Sequence, residues 1–314
     1  MKAYEHSGIV PVSGALMTLG AGSLAALLLG VVYTFAFYHI LYVYLNVLFT
    51  FGFGAAVGWT VGFVAREGKI RNVPVVGGLA LVAAFVGLYS AWGTTAYALV
   101  PSSELKQFWN DVGLFPFLPH NIAALMGKLY SVGSWGMTAN APVHGLPLVA
   151  LWVIEAGIIG AMAIAMSVGQ ILELPFCEPC DEWVVARAEP HLFAGQGYEA
   201  AWSDVKHGAF ESLAQTPRAS GDETHYVRVT VSTCPKCDAS NYLSVVACEN
   251  RVNPKGGRYK VEQKLATNIP LTAAQVEIVD AAAFIAPAIG SEQLVSCQSV
   301  GSAAIEEPAN RFPD

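Results

Sequence analysis

Four long apolar stretches constrain the fold of this chain more than any other feature. They cover residues 14–37, 41–65, 73–99 and 146–172. A helix needs about 20 apolar residues to cross the hydrocarbon core of a bilayer, and each stretch is long enough. We therefore predict four transmembrane helices within residues 1–172. The polar break between the first two stretches is very short, which predicts a tight helical hairpin.

The charged residues divide the chain into two dissimilar parts. Residues 1–170 carry six Lys and Arg against five Asp and Glu, whereas residues 171–314 carry 11 against 19. Charged residues make up 13% of the chain, compared with about 25% in a typical soluble domain. A chain that is soluble throughout is therefore excluded. The second part has the composition of a soluble domain, and its negative charge repels phosphate, so we expect no nucleic-acid partner.

The loop after the second stretch predicts the orientation in the membrane. Arg66, Lys69 and Arg71 lie within seven residues, and such cation-rich short loops stay in the cytosol. The segment 100–145 is then extracytoplasmic, and both termini are cytosolic. Apolar residues at helical spacing over 121–130 predict one or two amphipathic helices in this segment, which lie on the membrane surface or pack against the bundle.

The second stretch contains a row of glycines four residues apart, Gly54, Gly58 and Gly62. The first stretch has a similar row made of Gly22, Ala26 and Gly30. Small residues at this spacing let helix backbones approach closely. Two interpretations stay open: packing within the four-helix bundle, or a homodimer interface.

Glu155 is the one formal charge deep inside a predicted span. A carboxylate in the membrane is energetically costly and is a functional candidate by default. It relays protons, binds a cation, or links helices through a bond to Tyr, Trp or a backbone group. His39, near the first outer turn, is the one neighbour of suitable chemistry. Tyr33 and the aromatic residues that follow it are typical of an interfacial belt.

Two CxxC pairs mark the start and the middle of the soluble part: Cys177 with Cys180, and Cys234 with Cys237. Each pair is typical of a zinc knuckle, and two knuckles supply four thiolates to a tetrahedral zinc ion. The predicted cytosolic location disfavours disulfides. We expect structural zinc, with a rubredoxin-like iron site and a thiol–disulfide pair as alternatives.

The spacing of the two pairs departs from that of ordinary zinc ribbons. Fifty-three residues separate Cys180 from Cys234, compared with about 15–20 in the usual arrangement. An inserted element must fill the gap, and residues 198–213 predict a helix there. Cys248 and Cys297 are expected to be buried thiols. The histidines are weaker candidates for metal ligands (His191 and His225) or are expected at the surface (His120 and His144).

Alternating apolar residues predict strands at 225–233, 241–248 and 258–267. Thr272 and Gln275 have the spacing of a capping box, which predicts a helix over 273–286. The predicted fold is mainly α. It consists of a four-helix transmembrane bundle, a small α+β zinc-ribbon-like domain over 173–298, and a disordered tail over 299–314.

Three short runs carry a resemblance to known proteins. They are Tyr44-Leu45-Asn46 with Gly52-Phe53-Gly54, Trp152-Val153-Ile154-Glu155, and Pro175-Phe176-Cys177-Glu178-Pro179-Cys180-Asp181-Glu182-Trp183. With these runs the chain resembles a group of uncharacterised bacterial multi-pass membrane proteins with a cytosolic CxxC/CxxC domain. The resemblance covers most of the chain. It implies the inner membrane of a bacterium and no particular activity.

The sequence lacks the motifs of the common enzyme classes. It has no P-loop, no GxSxG, no HExxH and no Rossmann glycine run, which disfavours an enzyme. The first hypothesis is a membrane-anchored interaction or scaffold protein that presents a zinc ribbon to a protein partner. The second is a transporter or channel component that uses Glu155. An electron-transfer protein follows if the metal is iron. A membrane enzyme acting through segment 100–145 has only two histidines and Asp111 to work with.

Overall fold

The computed structural model describes most of the chain in two separate units. The described residues are 3–39, 43–99, 115–134, 142–187, 189–195, 197, 199–237 and 239–285. Contacts group residues 5–176 into one unit, and residues 1–4 with 177–314 into the other. We name the first the helical unit and the second the sheet unit.

The described residues of the helical unit form five α-helices. They are α1 (Val12–His39), α2 (Val43–Glu67), α3 (Val73–Leu99), α4 (Pro119–Val132) and α5 (Leu146–Leu172). A short 3-10 turn at Phe115–Phe117 precedes α4. Four of the helices, α1, α2, α3 and α5, are long and apolar enough to cross a membrane, which confirms the predicted four-helix architecture.

The four long helices pack against one another through small and branched side chains. Helix α1 contacts α2 and α3, and helix α5 contacts the same two. Val57, Val61 and Ala163 are buried where they meet. Large apolar side chains such as Leu28 and Phe85 point outward and are exposed. An outward apolar surface on helices of this length suits a lipid environment, where it carries no hydration cost.

The glycine row of α2 lies directly against the backbone of α5. A Cβ atom at Gly58 would lie 2.3 Å from the carbonyl oxygen of Ala163, and one at Gly54 would lie 2.7 Å from that of Ile159. Only glycine allows so close an approach, as expected for small residues at helix contacts. The row therefore serves packing within the chain. A homo-oligomer stays a prediction, and this row is already covered by α5.

Helix α4 lies where an amphipathic helix was expected. Pro119 occupies its first turn, where the missing N–H carries no penalty. The helix ends at Gly133, which has a φ of 93°. His120 and His144 are both exposed, in agreement with their interpretation as surface histidines. Asp111 lies outside the described residues.

The sheet unit contains seven strands and two helices. They are β1 (Phe176–Cys177), β2 (Glu182–Trp183), β3 (Val185–Ala186), β4 (His191–Ala194), α6 (Glu199–His207), β5 (His225–Thr233), β6 (Asn241–Val252), β7 (Arg258–Leu271) and α7 (Ala273–Ile285). Strands β1 and β2 form a two-stranded sheet. The other five form an antiparallel sheet in the order β3-β5-β6-β7, with β4 also paired to β5.

The prediction for β5 matches the structure, whereas β6 and β7 are each four residues longer than predicted. The two strands continue to a tight turn and pair up to Val252 and Arg258. Asn253 closes that turn, because its Oδ1 accepts the N–H groups of Lys255 and Gly257 at 3.0 and 2.7 Å. A side-chain bond of this kind stabilises a turn without a long loop.

The predicted continuous helix over 198–213 is wrong. Helix α6 ends at His207, and the chain continues through Gly208 into a 3-10 helix at Glu211–Gln215. Gly208 has a φ of 91°, which stops a right-handed helix. The break lets Phe210 and Leu213 reach the same apolar core as Trp202.

Helix α7 begins with the predicted capping box. The N–H of Gln275 donates to Thr272 Oγ1 at 3.3 Å, and the N–H of Thr272 donates to Gln275 Oε1 at 2.9 Å. Val276 and Val279 then pack into the core beneath the sheet. Cys248 is a buried free thiol, as predicted. Cys297 and the tail at 299–314 lie outside the described residues.

Candidate metal centre

The first cysteine pair lies in the turn of the β1–β2 hairpin. Cys177 ends β1 and is fully buried, and Cys180 sits in the turn that leads to β2. The turn closes with a bond from the N–H of Asp181 to the carbonyl of Glu178 at 3.3 Å. Asp181 has a φ of 50°, so the chain reverses within one residue after Cys180.

The second pair lies between β5 and β6. Cys234 follows β5 directly, and its N–H donates to the carbonyl of Ser240 at 3.0 Å, which closes the loop that contains Cys237. The N–H of Lys236 points at Cys234 Sγ from 3.5 Å. Such a donor stabilises a thiolate. The first pair has Pro179 at the equivalent position, and proline has no N–H to donate.

Strand pairing brings the two distant pairs together. Val185, just after the first pair, pairs with Thr233, the residue before Cys234. An ion pair between Glu182 and Lys236, 3.0 Å from Oε1 to Nζ, adds a second link. The intervening chain forms β4, α6 and β5, which belong to the core of the sheet unit. The long spacing in the sequence therefore does not separate the knuckles in space.

The four sulfur atoms form one compact group. The Sγ atoms of Cys177, Cys180, Cys234 and Cys237 all lie within 4.8 Å of one another, and Cys177 Sγ is 3.7 Å from Cys237 Sγ. With metal–sulfur bonds of about 2.3 Å, the sulfurs of a tetrahedral zinc site lie about 3.8 Å apart. All four cysteines are free thiols in this structure. The donor set therefore fits a tetrahedral metal ion.

Apolar side chains surround one side of the group. Val184 is buried against Cys177 and Cys234, and Tyr242 packs beside them. The ring of Tyr4 meets that of Tyr242 edge-on, with centroids 5.2 Å apart. Burial raises the pKa of the Tyr242 hydroxyl, and negative charge on Cys177 adds to the effect. The shell around the sulfurs thus excludes water on this side.

The crowding of the sulfurs has an electrostatic consequence. The pKa of Cys180 is raised to about 12, chiefly by the adjacent Cys237 sulfur, with burial and the other two sulfurs contributing. Several thiolates at this separation repel one another. A bound cation reverses that preference and holds the thiols deprotonated. Four cysteine ligands leave no open coordination position, so a metal here is structural in character.

The predicted alternative ligands lie elsewhere. Within the described residues, no histidine or carboxylate joins the sulfur group. His191 Nε2 lies 3.4 Å from Asp280 Oδ1, and Arg187 also binds Asp280. His225 pairs across the sheet with Glu249. Neither histidine replaces a cysteine.

In the helical unit, the partner of Glu155 is a tyrosine on another helix. The hydroxyl of Tyr33 is hydrogen-bonded to the Glu155 carboxyl group and lies 3.1 Å from Thr50 Oγ1. His39 is exposed, and its Nδ1 lies 2.8 Å from the carbonyl of Phe35 in its own helix. No hydrogen bond or ion pair joins His39 to Glu155 in the part of the chain that the structure describes. The bond to Tyr33 fits the alternative in which Glu155 links helices, and it involves a tyrosine that was interpreted as part of an interfacial belt; a role for His39 beside Glu155 stays a prediction.

Comparisons with known proteins found no similar protein. No family model, no curated protein and no solved structure matches the chain. The four apolar helices and the four-cysteine cluster fit a membrane protein with a metal-binding domain. A more specific function has to be argued from the two units themselves.

Proposed function

We propose that this chain is a membrane-anchored interaction protein whose sheet unit contains a structural zinc ion and binds a protein partner. One observation carries the proposal: two knuckles bring four thiols within 4.8 Å of one another, as a tetrahedral metal site requires. A closed site stabilises a fold and leaves no position for a substrate. The metal then serves to hold a recognition surface in shape.

Zinc suits this site better than iron. Both metals bind four cysteine thiolates, but the redox behaviour of an iron site is tuned by hydrogen bonds to its sulfurs. Lys236 supplies such a donor to Cys234, whereas Pro179 leaves the first knuckle without the equivalent one. A structural zinc ion tolerates that asymmetry, because its function does not depend on a reduction potential.

The N-terminal segment supports a topology with both termini on one side of the membrane. Tyr4 belongs to the sheet unit, and its N–H donates to the carbonyl of Asn268 at 2.9 Å. Helix α1 begins at Val12. Eight residue steps span at most about 29 Å, slightly less than the ~30 Å hydrocarbon core. So short a linker supports the proposed topology with both termini on one side of the membrane.

The cation-rich loop supports the assignment of that side to the cytosol. The N–H of Arg71 donates to the carbonyl of Ile9 at 2.9 Å, so the loop lies beside the segment that leads into α1. Arg66, Lys69 and Arg71 all belong to this end of the helical unit. Short loops rich in Lys and Arg remain cytosolic, as in the inner membrane of a bacterium.

The tip of the β6–β7 hairpin is the surface that we propose for the partner. The hairpin extends past the start of β5, which pairs only as far as Glu249. Near its turn, Val252 is 64% exposed and Tyr259 is 49% exposed. Exposed apolar and aromatic side chains at a protruding tip are typical of protein interaction sites.

Metal analysis is the direct test of the metal assignment. We expect the detergent-purified protein to contain about one zinc ion per chain by elemental mass spectrometry. After denaturation with a chelator, all six cysteines should titrate as thiols, four from the cluster and two from outside it. One iron ion per chain would instead support electron transfer at the membrane. Absence of metal, together with oxidised CxxC pairs, would contradict both assignments.

Site-specific photo-crosslinking tests the partner surface. A crosslinking residue in place of Tyr259 is expected to capture one defined protein in cells, whereas the same residue in place of the exposed Glu211 captures none. Equal capture from both positions would contradict docking at the hairpin tip. Substrate turnover by the purified chain alone would contradict an interaction role altogether.

A transporter or channel component is the second candidate, because Glu155 is hydrogen-bonded to Tyr33 within the predicted spans. This hypothesis expects an ion flux in proteoliposomes that Glu155→Gln abolishes while folding is retained. Absence of flux in the wild-type protein would exclude it.

A further inference from the structure

Four oxygen-bearing residues form a connected cluster inside the helical unit. Tyr33 lies on α1, Asn46 and Thr50 lie on α2, and Glu155 lies on α5. We name these four residues the polar cluster. Tyr33, Asn46 and Thr50 are buried, and Glu155 is partly buried. The cluster is separate from the cysteine site and does not depend on the proposed zinc ion.

Three consecutive hydrogen-bond contacts connect the cluster. The first joins the Glu155 carboxyl group to the Tyr33 hydroxyl. The second joins Tyr33 Oη to Thr50 Oγ1 at 3.1 Å, and either atom is able to donate. The third joins Thr50 Oγ1 to the backbone carbonyl oxygen of Asn46 at 3.0 Å. Each contact requires one hydrogen atom.

The number of available hydrogens depends on the protonation of Glu155. The tyrosine and threonine hydroxyls supply one hydrogen each, and the carbonyl oxygen supplies none. If Glu155 is ionised, two hydrogens have to serve three contacts. If Glu155 is a neutral carboxylic acid, its O–H supplies the third. The acid then donates to Tyr33, Tyr33 donates to Thr50, and Thr50 donates to the Asn46 carbonyl.

The side-chain oxygen of Asn46 is a further buried acceptor in the cluster. The residue is 8% exposed, and its Oδ1 accepts no hydrogen bond from any residue that the structure describes. A buried acceptor without a donor costs free energy. The deficit that a proton on Glu155 removes is the one hydrogen missing from the three contacts among Glu155, Tyr33, Thr50 and the Asn46 carbonyl.

In the part of the chain that the structure describes, the surrounding helices bring no cation to Glu155. The other ionisable residues with described side chains in the spans and α4 are Tyr89 and Tyr97 on α3, Arg66 and Glu67 at the end of α2, His39 at the end of α1, and His120, Lys128 and Tyr130 on α4. The side chains of Tyr38 and Tyr44 lie outside the described residues. The end of α2 lies 16 residues, or about 24 Å, from Thr50. His120, Lys128 and His39 are exposed. An ionised carboxylate here has no counter-ion, which is costly in apolar surroundings.

We propose that Glu155 is an intramembrane proton-binding site, occupied when the three contacts of the polar cluster are all formed. On release, the O–H bond of Glu155 breaks, its electron pair stays on the carboxylate, and a water molecule accepts the proton. Tyr33 then donates to the carboxylate, and the single hydrogen of the Thr50 hydroxyl has to serve both remaining contacts. While Thr50 keeps its bond to the Asn46 carbonyl, proton release weakens the link between α1 and α2.

Infrared difference spectroscopy of the protein in lipid bilayers at pH 7 tests the proposal. A neutral carboxylic acid has a C=O stretching band separate from the bands of carboxylates. We expect this band in the wild-type protein and not in Glu155→Gln, whose amide keeps the size of the side chain and a donor for Tyr33. Tyr33→Phe should shift the band, because the acid loses its acceptor. Tyr89→Phe is the matched control and should leave the band in place.

Three outcomes would overturn the proposal. The first is a spectrum in which Glu155→Gln changes only carboxylate bands. The second is an acid band that Tyr33→Phe does not shift. The third is an unchanged pH midpoint in Thr50→Val. This variant keeps the shape of the side chain but removes the oxygen that accepts from Tyr33 when Glu155 is protonated. The band of this variant should disappear at a lower pH than in the wild type, and this test stands even if Glu155→Gln fails to fold. An unchanged midpoint would contradict the cluster.

Discussion

The two units of this chain obtain their stability in opposite ways. In the helical unit, backbones touch through glycines, and buried hydroxyl groups donate mainly to backbone carbonyl oxygens of the helices. In the sheet unit, a five-stranded antiparallel sheet covers an apolar core, and four cysteines close one end. The first arrangement depends on close packing between apolar surfaces. The second depends on a set of thiols that repel one another unless a cation is bound.

This difference implies that each unit has its own weak point. A small change in volume at a glycine should damage the helical unit and leave the cysteine cluster intact. Loss of the metal should damage the sheet unit and leave the helices inserted. Contacts are concentrated within each unit, so the two effects should be separable in one protein.

Cys234→Ser is expected to have the largest effect. Metal binding supplies on the order of 10 kcal/mol of folding free energy in small zinc domains, and this substitution removes a buried ligand. Limited proteolysis should show cleavage throughout residues 177–271 while the helical unit stays protected. Removal of the metal with a chelator should reproduce this pattern in the wild-type protein.

Cys248→Ala is the matched control for that experiment. Cys248 is also a buried free thiol, but it lies outside the sulfur group. Its replacement should retain the metal and a protected sheet unit. Protease resistance in Cys234→Ser equal to that of Cys248→Ala would refute the structural metal.

Gly58→Val should destabilise the helical unit next most strongly. Its Cβ would lie 2.3 Å from the Ala163 carbonyl oxygen, so α2 and α5 must separate. Overpacking of this kind costs about 1–3 kcal/mol or more. Thermal unfolding in detergent measures the loss, and the zinc content should not change. Gly52→Val is the control, because a Cβ at Gly52 meets no atom within 4 Å; equal losses from both variants would contradict the packing role.

Local patterns account for what the sequence predicted correctly. The four spans follow from runs of apolar residues, and strand β5 follows from strict alternation. The start of α7 follows from two side chains three residues apart. In each case the residues that determine the structure are neighbours in the chain. The identity of the metal, the location in the cell and the partner stay predictions.

Long-range pairing accounts for what the sequence could not reveal. The contact between Tyr33 and Glu155 joins residues 122 positions apart, and no local pattern marks either as the partner of the other. The pairing of Val185 with Thr233 explains why the two CxxC pairs meet in space despite their long spacing in the sequence. The break at Gly208 was missed because an apolar stripe continues across it, although the glycine itself was a signal.

Tyr33→Phe should have a smaller effect on stability than either previous change. It removes the hydrogen bonds to Glu155 and Thr50 but keeps the ring, which stacks on Phe53 with centroids 4.9 Å apart. Polar contacts between membrane helices contribute about 0.6 kcal/mol on average and at most about 1.7. We expect a loss of about 1 kcal/mol in thermal unfolding in detergent. Tyr130→Phe, at an exposed position of α4, should cause no loss of stability. Equal losses in Tyr33→Phe and Tyr130→Phe would show that the polar cluster does not stabilise the helical unit.

Glu262→Gln should have the smallest effect, in the sheet unit. Lys260 and Arg228 lower the pKa of the Glu262 carboxyl group, with Lys260 the larger cause. Because the pKa is lower in the folded state, the stabilisation is present above the unfolded pKa and is lost as the pH falls through the folded one. The side chain is exposed, so solvent screening limits the contribution to about 0.5 kcal/mol at neutral pH. Because the proposed metal site would lose its ion in acid, chemical denaturation is compared at pH 7 in low and in 1 M salt. The difference from wild type should shrink at high salt, where surface charges are screened; a loss that persists there would point to packing rather than charge.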